Sequence, residues 1–227
     1  MHDFVSYVDI EAEKHITRRL SQLVPGSGFL TEEGTITGEG EKYTWIIDPL
    51  DGTTNFMHGL PPYSVSIALR EGSEIILGVV YVASSDELFH ATAGGGAWLN
   101  GNKICTSSTQ KIEDSLVATG FPFKNFTRLE GFLKSLEYFI RNTHGVRRMG
   151  SAAVDLAFVA CGRFDAFFEY NLNPWDVSAG ILLVREAGGR VSDFSGNEEN
   201  ISGREIIATN GFIFGEFSGI VGKYMRG

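Results

Sequence analysis

Behind Asp9, Glu11 and Glu13, the apolar residues Ile16, Leu20, Leu23 and Val24 recur at helical spacing and predict a helix over residues 9–24. Asp9 reads as its N-cap and Pro25-Gly26 as its end. The aromatic and β-branched run 43–47 predicts a buried strand that stops at Asp48. Runs 63–69, 75–82 and 88–92, separated by polar turns, predict an antiparallel meander, with further turns at 94–96 and 100–101. The second half begins with a strand over 116–119. An amphipathic helix over 127–141 follows, whose Leu129, Phe132, Leu133, Leu136 and Phe139 form one apolar stripe. A small-residue helix over 151–161, a strand over 164–170 and a helix from Pro174 to Gly188-Gly189 come next. Strands over 191–194 and 206–208 complete the pattern. The expectation is a layered α+β protein in two continuous subdomains, 1–120 and 121–227.

Composition narrows the functional classes. With 227 residues and 43% hydrophobic content, the chain can bury a sizeable core and is far from the disordered regime. Its 19 Lys and Arg against 28 Asp and Glu, a formal charge of -9, argue against a nucleic-acid partner. An acidic chain that handles phosphate needs metal ions to do so. The longest apolar run, 75–83, is interrupted by Gly78 and too short to span a bilayer, and the N-terminus has no basic-then-apolar leader. The expected setting is cytoplasmic, with no membrane partner. Cys105 and Cys161 have no ligand-spaced companions and read as reduced packing thiols.

The distinctive chemistry lies where carboxylates meet strand ends and helix starts. Asp48 and Asp51 flank Pro49-Leu50 directly after the strand, and Gly52-Thr53-Thr54 offers amides and hydroxyls beside them. Two carboxylates and the Leu50 carbonyl suit a hard divalent cation, with the amides free for an anion. The same residues also serve as plain turn formers. Asn173 and Pro174 fit the N-cap and first position of a helix, placing Asp176 in its first turn, where it could equally well only complement the helix dipole. Glu32-Glu33 is a further acidic pair in a Gly-containing loop.

Residues 45–56 (WIIDPLDGTTNF), with 175–180 (WDVSAG) and 186–189 (EAGG), resemble the two signature motifs of the inositol monophosphatase family, and the resemblance spans nearly the whole chain. It implies an αβαβα layered fold and a Mg2+-dependent, Li+-sensitive phosphomonoesterase using two or three ions. Position by position, Glu32, Asp48 and the carbonyl of Leu50 would hold one Mg2+. Asp48, Asp51 and Asp176 would hold a second, and Glu32 would share a third through Asp9. Thr53 with Glu32 would orient and deprotonate the attacking water. The amides of Gly52 and Thr53 would receive phosphate, while Asp51, Gly150, Ser151, Ala152, Glu169 and Asp176 would line the substrate hydroxyls. Ser151 reads equally as a helix N-cap, and Glu169 as a solvent-facing strand end. The resemblance further implies a homodimer acting on a small phosphate ester, inositol monophosphate before fructose 1,6-bisphosphate, histidinol phosphate or 3'-phosphoadenosine nucleotides. A catalytically silent metal-binding protein on the same fold is the remaining alternative. Two departures stand out: the family's long helix before the segment beginning at Phe4 is not expected here, and Thr31 replaces the usual Gly before the acidic pair.

Overall fold

A computed structural model describes residues 7–123, 125–199 and 204–226; Phe4, where the first segment was placed, lies outside them. Helix α1 (Tyr7–Leu23) leads into a seven-stranded sheet of β1 (Gly28–Thr31), β2 (Tyr43–Asp51), β3 (Ser64–Glu71), β4 (Glu74–Val82), β5 (Glu87–Thr92), β6 (Gly96–Leu99) and β7 (Asn102–Ile104). The strands lie in sequence order; β1 pairs parallel with β2 and all later neighbours are antiparallel. The short helix α2 (Thr53–Met57) sits between β2 and β3.

The rest of the chain alternates β8 (Leu116–Thr119), α3 (Leu129–Asn142), β9 (Gly145–Arg147), α4 (Ala152–Ala160), β10 (Ala166–Tyr170), α5 (Pro174–Glu186), β11 (Arg190–Ser192), β12 (Glu205–Thr209) and α6 (Phe214–Met225). Its strands form a five-stranded sheet in the order β11-β12-β10-β8-β9, with β12 antiparallel to both neighbours and β8 parallel to β9 and β10.

Three apolar clusters stack these elements into five layers. Ile16, Leu20 and Val24 pack with Phe29, Trp45, Ile47 and Leu69, so α1 and its flank cover one face of the first sheet. The other face, through Ile46, Ala68, Val80 and Phe89, packs on α4 and α5, which also meet Phe167, Ile206 and Ala208 of the second sheet. Phe132 and Phe139 of α3 and Phe217 and Val221 of α6 close its far face over Phe168 and Ile207. The α/β/α/β/α order explains two features of the sequence. Strands buried on both faces lose their polar alternation, as in Trp45-Ile46-Ile47 and Phe167-Phe168. Helix α5, between two sheets, is buried continuously from Val177 to Val184. Close approach accompanies that burial, since a Cβ on Gly78 would come 2.8 Å from the carbonyl oxygen of Ala179.

Several expectations change. Asp9 is not an N-cap: α1 already includes Tyr7, and Asp9 lies inside it, 1% exposed. Strand β2 does not stop at Asp48 but runs through Asp51. The strands β1, β6, β7 and β9 and the whole of α6 were not expected. Cys105 is exposed rather than packed. Among the described residues, no helix is long and apolar enough to cross a membrane.

Candidate active site

Strand β2 supplies two carboxylates through an irregularity. Its pairing with β3 is regular to Asp48–Ser66, skips Pro49 and Leu50, and resumes at Asp51–Ser64. Proline has no amide hydrogen for the ladder, so the chain bulges there and the Leu50 amide turns back to donate to Asp48 Oδ1 at 2.9 Å. Gly52, at φ 92°, then turns the chain into α2. A side chain at Gly52 would press on the carbonyls of Pro62 at 3.1 Å and Gly150 at 3.3 Å. Asn55 ties the same two segments together, donating through Nδ2 to the carbonyls of Pro62 and Met149, both at 2.8 Å.

Ser151 is the N-cap that its sequence allowed, and it lies on the cavity wall. It caps α4, accepting from the Val154 amide at 3.3 Å, and donates to Asp51 Oδ2 at 2.6 Å. The Ala153 amide reaches that same Asp51 oxygen at 2.8 Å. Asp176 likewise serves helix and cavity: its Oδ2 accepts from the Asn173 amide at 2.7 Å, closing on the N-cap of α5.

Glu32 arrives by register. Thr31 pairs with Ile47 across the parallel β1–β2 ladder, so the next residues, Glu32 and Asp48, come side by side. The loop that follows is gathered by Glu13 of α1, which is fully buried. Its carboxylate accepts from the Thr31 hydroxyl at 2.9 Å, the Glu33 amide at 2.9 Å, and the Thr35 amide and hydroxyl at 2.8 and 2.6 Å. Nothing in the sequence pattern sets Glu13 apart from Asp9 and Glu11.

Glu32, Asp48, Leu50, Asp51, Gly52, Thr53, Gly150, Ser151, Ala152, Glu169 and Asp176 all line one cavity of about 500 Å³. The Thr53 hydroxyl is directed to the Leu50 carbonyl at 3.0 Å and to Asp9 Oδ1 at 3.3 Å. The Gly52 amide leans on the Asp51 carboxylate. Sequence reasoning missed Arg148 and the rings of Phe121, Phe123 and Phe126 on the cavity wall. A Phe-Pro-Phe string directly after a strand was the available signal. A second, polar cavity of about 620 Å³ shares the wall 171–173 but holds none of the predicted residues.

Crowded acids define the electrostatics. Burial, then the like charges of Asp51, Glu32 and Asp176, hold Asp48 well above the usual carboxylate range. Burial pushes Asp51 up to about 6, against hydrogen bonds from Ser151 and Ala153. Asp176 is raised to about 8 by burial and then by Asp51. Glu169 also reaches about 8, again by burial before charge. Glu32 keeps solvent contact at the lip yet is partly desolvated and pushed up to about 7. The only Lys or Arg on this wall, among the described residues, is Arg148.

An all-oxygen donor set with excess negative charge fits a hard divalent cation and not a soft one. Among the described residues, no three His, Cys, Asp or Glu side chains stand ready to enclose an ion alone.

Known proteins share this sequence and fold. The model of the inositol monophosphatase family matches residues 1–223. An inositol-1-monophosphatase of Mesorhizobium japonicum is 44% identical over 209 residues, covering 92% of this chain and 79% of that one. A Nus factor SuhB of Pseudomonas aeruginosa is 44% identical over 213 residues, covering 92% and 79%. The crystal structure of the extragenic suppressor protein suhB from Bartonella henselae superposes with a TM-score of 0.93 at 43% identity, covering 98% of this chain and 86% of the other. The chain therefore belongs to the inositol monophosphatase family, and it is a phosphatase, a hydrolase of phosphate esters.

Proposed function

We propose that this phosphatase hydrolyses small polyol phosphate monoesters, inositol monophosphate first, with Mg2+ as its cation. One observation carries the reading: Glu32, Asp48, Asp51 and Asp176 line a single cavity together with Glu169, a fifth carboxylate on the same wall. Mg2+ would be held by Glu32, Asp48 and the Leu50 carbonyl, and by Asp48, Asp51 and Asp176, and Glu32 would share a third ion through Asp9. Bound there, the metal supplies Lewis-acid charge for the phosphoryl oxygens and acidifies water.

The chain's own residues do the rest. Glu32, exposed at the lip, accepts the proton of the attacking water, and the Thr53 hydroxyl orients that water. The amides of Gly52 and Thr53, at the start of α2, receive phosphate oxygens. Gly150, Ser151 and Ala152 form the wall beside the leaving group, and Glu169 accepts hydrogen bonds from its hydroxyls. The setting that goes with this reading is a cytoplasmic homodimer whose partner is the ester itself.

Purified protein with Mg2+ is expected to release phosphate from inositol 1-phosphate, and Asp48→Asn to lose that activity while keeping its circular-dichroism spectrum. Equal inertness of the two proteins would overturn the reading. Faster turnover of fructose 1,6-bisphosphate, histidinol phosphate or a 3'-phosphoadenosine nucleotide would reassign the substrate. Calorimetric Mg2+ binding without any turnover would make the chain a metal-binding relative.

A further inference from the structure

Parallel strands bring their C-terminal ends to one edge, and here β8 and β10 bring two chemically unequal residues together. Thr119 pairs with Phe168, and its hydroxyl donates to the Phe168 carbonyl at 2.7 Å, locking the register. The next residues along the chain are therefore Gly120, just past the end of β8, and Glu169 on β10, both on the cavity wall. Gly120 is buried and is not among the glycines with positive φ, so nothing in its backbone demands glycine. Its space does: a Cβ built there would overlap both carboxylate oxygens and Cδ of Glu169.

We propose that Gly120 sets the leaving-group selectivity of this phosphatase, by vacating the space through which the Glu169 carboxylate reaches the cavity. The proposal rests on the polyol-phosphate reading above. Because the overlapping atoms are the far end of a flexible side chain, a methyl group at 120 would displace Glu169 at little cost to the fold. Asp51 and Asp176 act on Glu169 as like charges and Arg148 as the opposite one, so a displaced carboxylate meets a different balance of charges on the wall. Gly120 is thus a positioning residue acting through Glu169.

The test compares kcat/KM for inositol 1-phosphate with that for p-nitrophenyl phosphate, whose leaving group has no hydroxyls to offer a carboxylate. Losing a hydrogen bond to a charged acceptor is expected to lower this ratio about tenfold or more in Gly120→Ala, mainly through the KM of inositol 1-phosphate. Glu169→Gln should lower it similarly, and the double variant no further than either alone. Glu169→Asp added to Gly120→Ala should recover part of the ratio, because the shorter carboxylate clears the methyl. An unchanged ratio in Gly120→Ala, or additive effects of the two substitutions, would overturn the proposal. Should Gly120→Ala melt too low to assay, the comparison moves to the Glu169→Asp background, where the shorter carboxylate clears the methyl: adding Gly120→Ala there should leave the ratio unchanged, and a tenfold drop would overturn the proposal. Failure of the underlying reading is distinct: the unmodified protein would then be inactive on inositol 1-phosphate, whatever residue 120 is.

Discussion

Five carboxylates share the cavity wall with one arginine, and that imbalance fixes the response to pH. Asp51 is held up to about 6, Glu32 to about 7, and Asp176 and Glu169 to about 8. Each keeps, in the folded protein, a proton that the unfolded chain releases near pH 4. The native state therefore binds more protons across the window from about 4 to about 8, and stability falls as pH rises through it. Metal-free protein in EDTA is expected to melt lower near pH 8 than near pH 5.5. Excess Mg2+ should recover most of the difference, since the cation binds the deprotonated carboxylates that repel one another without it. Differential scanning fluorimetry in both buffers checks this; a melting temperature that climbs with pH in EDTA would contradict it. Asp155 belongs to the same group, being 1% exposed with an Oδ1 lacking a hydrogen-bond partner and a carboxyl held well above its usual range by burial.

At the scale of elements, α1 braces the loop that carries Glu32. Glu13 collects four donors from residues 31–35, so Glu32 is presented by a loop that this helix holds in place. Glu13→Ala would strand those donors, and at about 1–3 kcal/mol for each unsatisfied buried group a loss of several degrees in melting temperature is expected, with weaker Mg2+ binding by calorimetry. Unchanged Mg2+ affinity would show that the loop holds its shape without Glu13. The long amphipathic α3, the meander and the Asn173-Pro174 start of α5 were legible because periodicity, turn residues and caps agree there with the tertiary structure. Helix α6 was not. Gly215, Gly219 and Gly222 depress its local helix propensity, and only packing of Phe217, Val221 and Met225 against the second sheet makes it a helix. Short strands such as β1 and β9 exist through their neighbours and carry no period of their own. The candidate site was legible as a set of residues through the resemblance of its motifs. Glu13, Arg148 and Gly120 were hidden because their roles arise from contacts distant in sequence. Glu186 belonged to a motif yet binds the Gly94 and Gly96 amides at 2.8 Å, holding a turn beside β6.

Over the whole molecule, the acid cluster straddles two regions of unequal depth. Asp176 rides on α5, the helix enclosed between both sheets, whereas Glu32 follows β1, the edge strand of the seven-stranded sheet. Amide hydrogen exchange should separate them. The amides of α5 can reach solvent only when the central layer comes apart, so they are expected to exchange at the rate of global unfolding. Those of residues 28–35 need only the edge to fray. Two cations sharing Asp48 would tie the edge to the centre, so Mg2+ should slow exchange over 28–35 by a larger factor than over 177–184; equal slowing in both would mean that the edge was never the loose end. The metal would then also be a fastener, and its loss would begin at Glu32 while Asp176 stays in place.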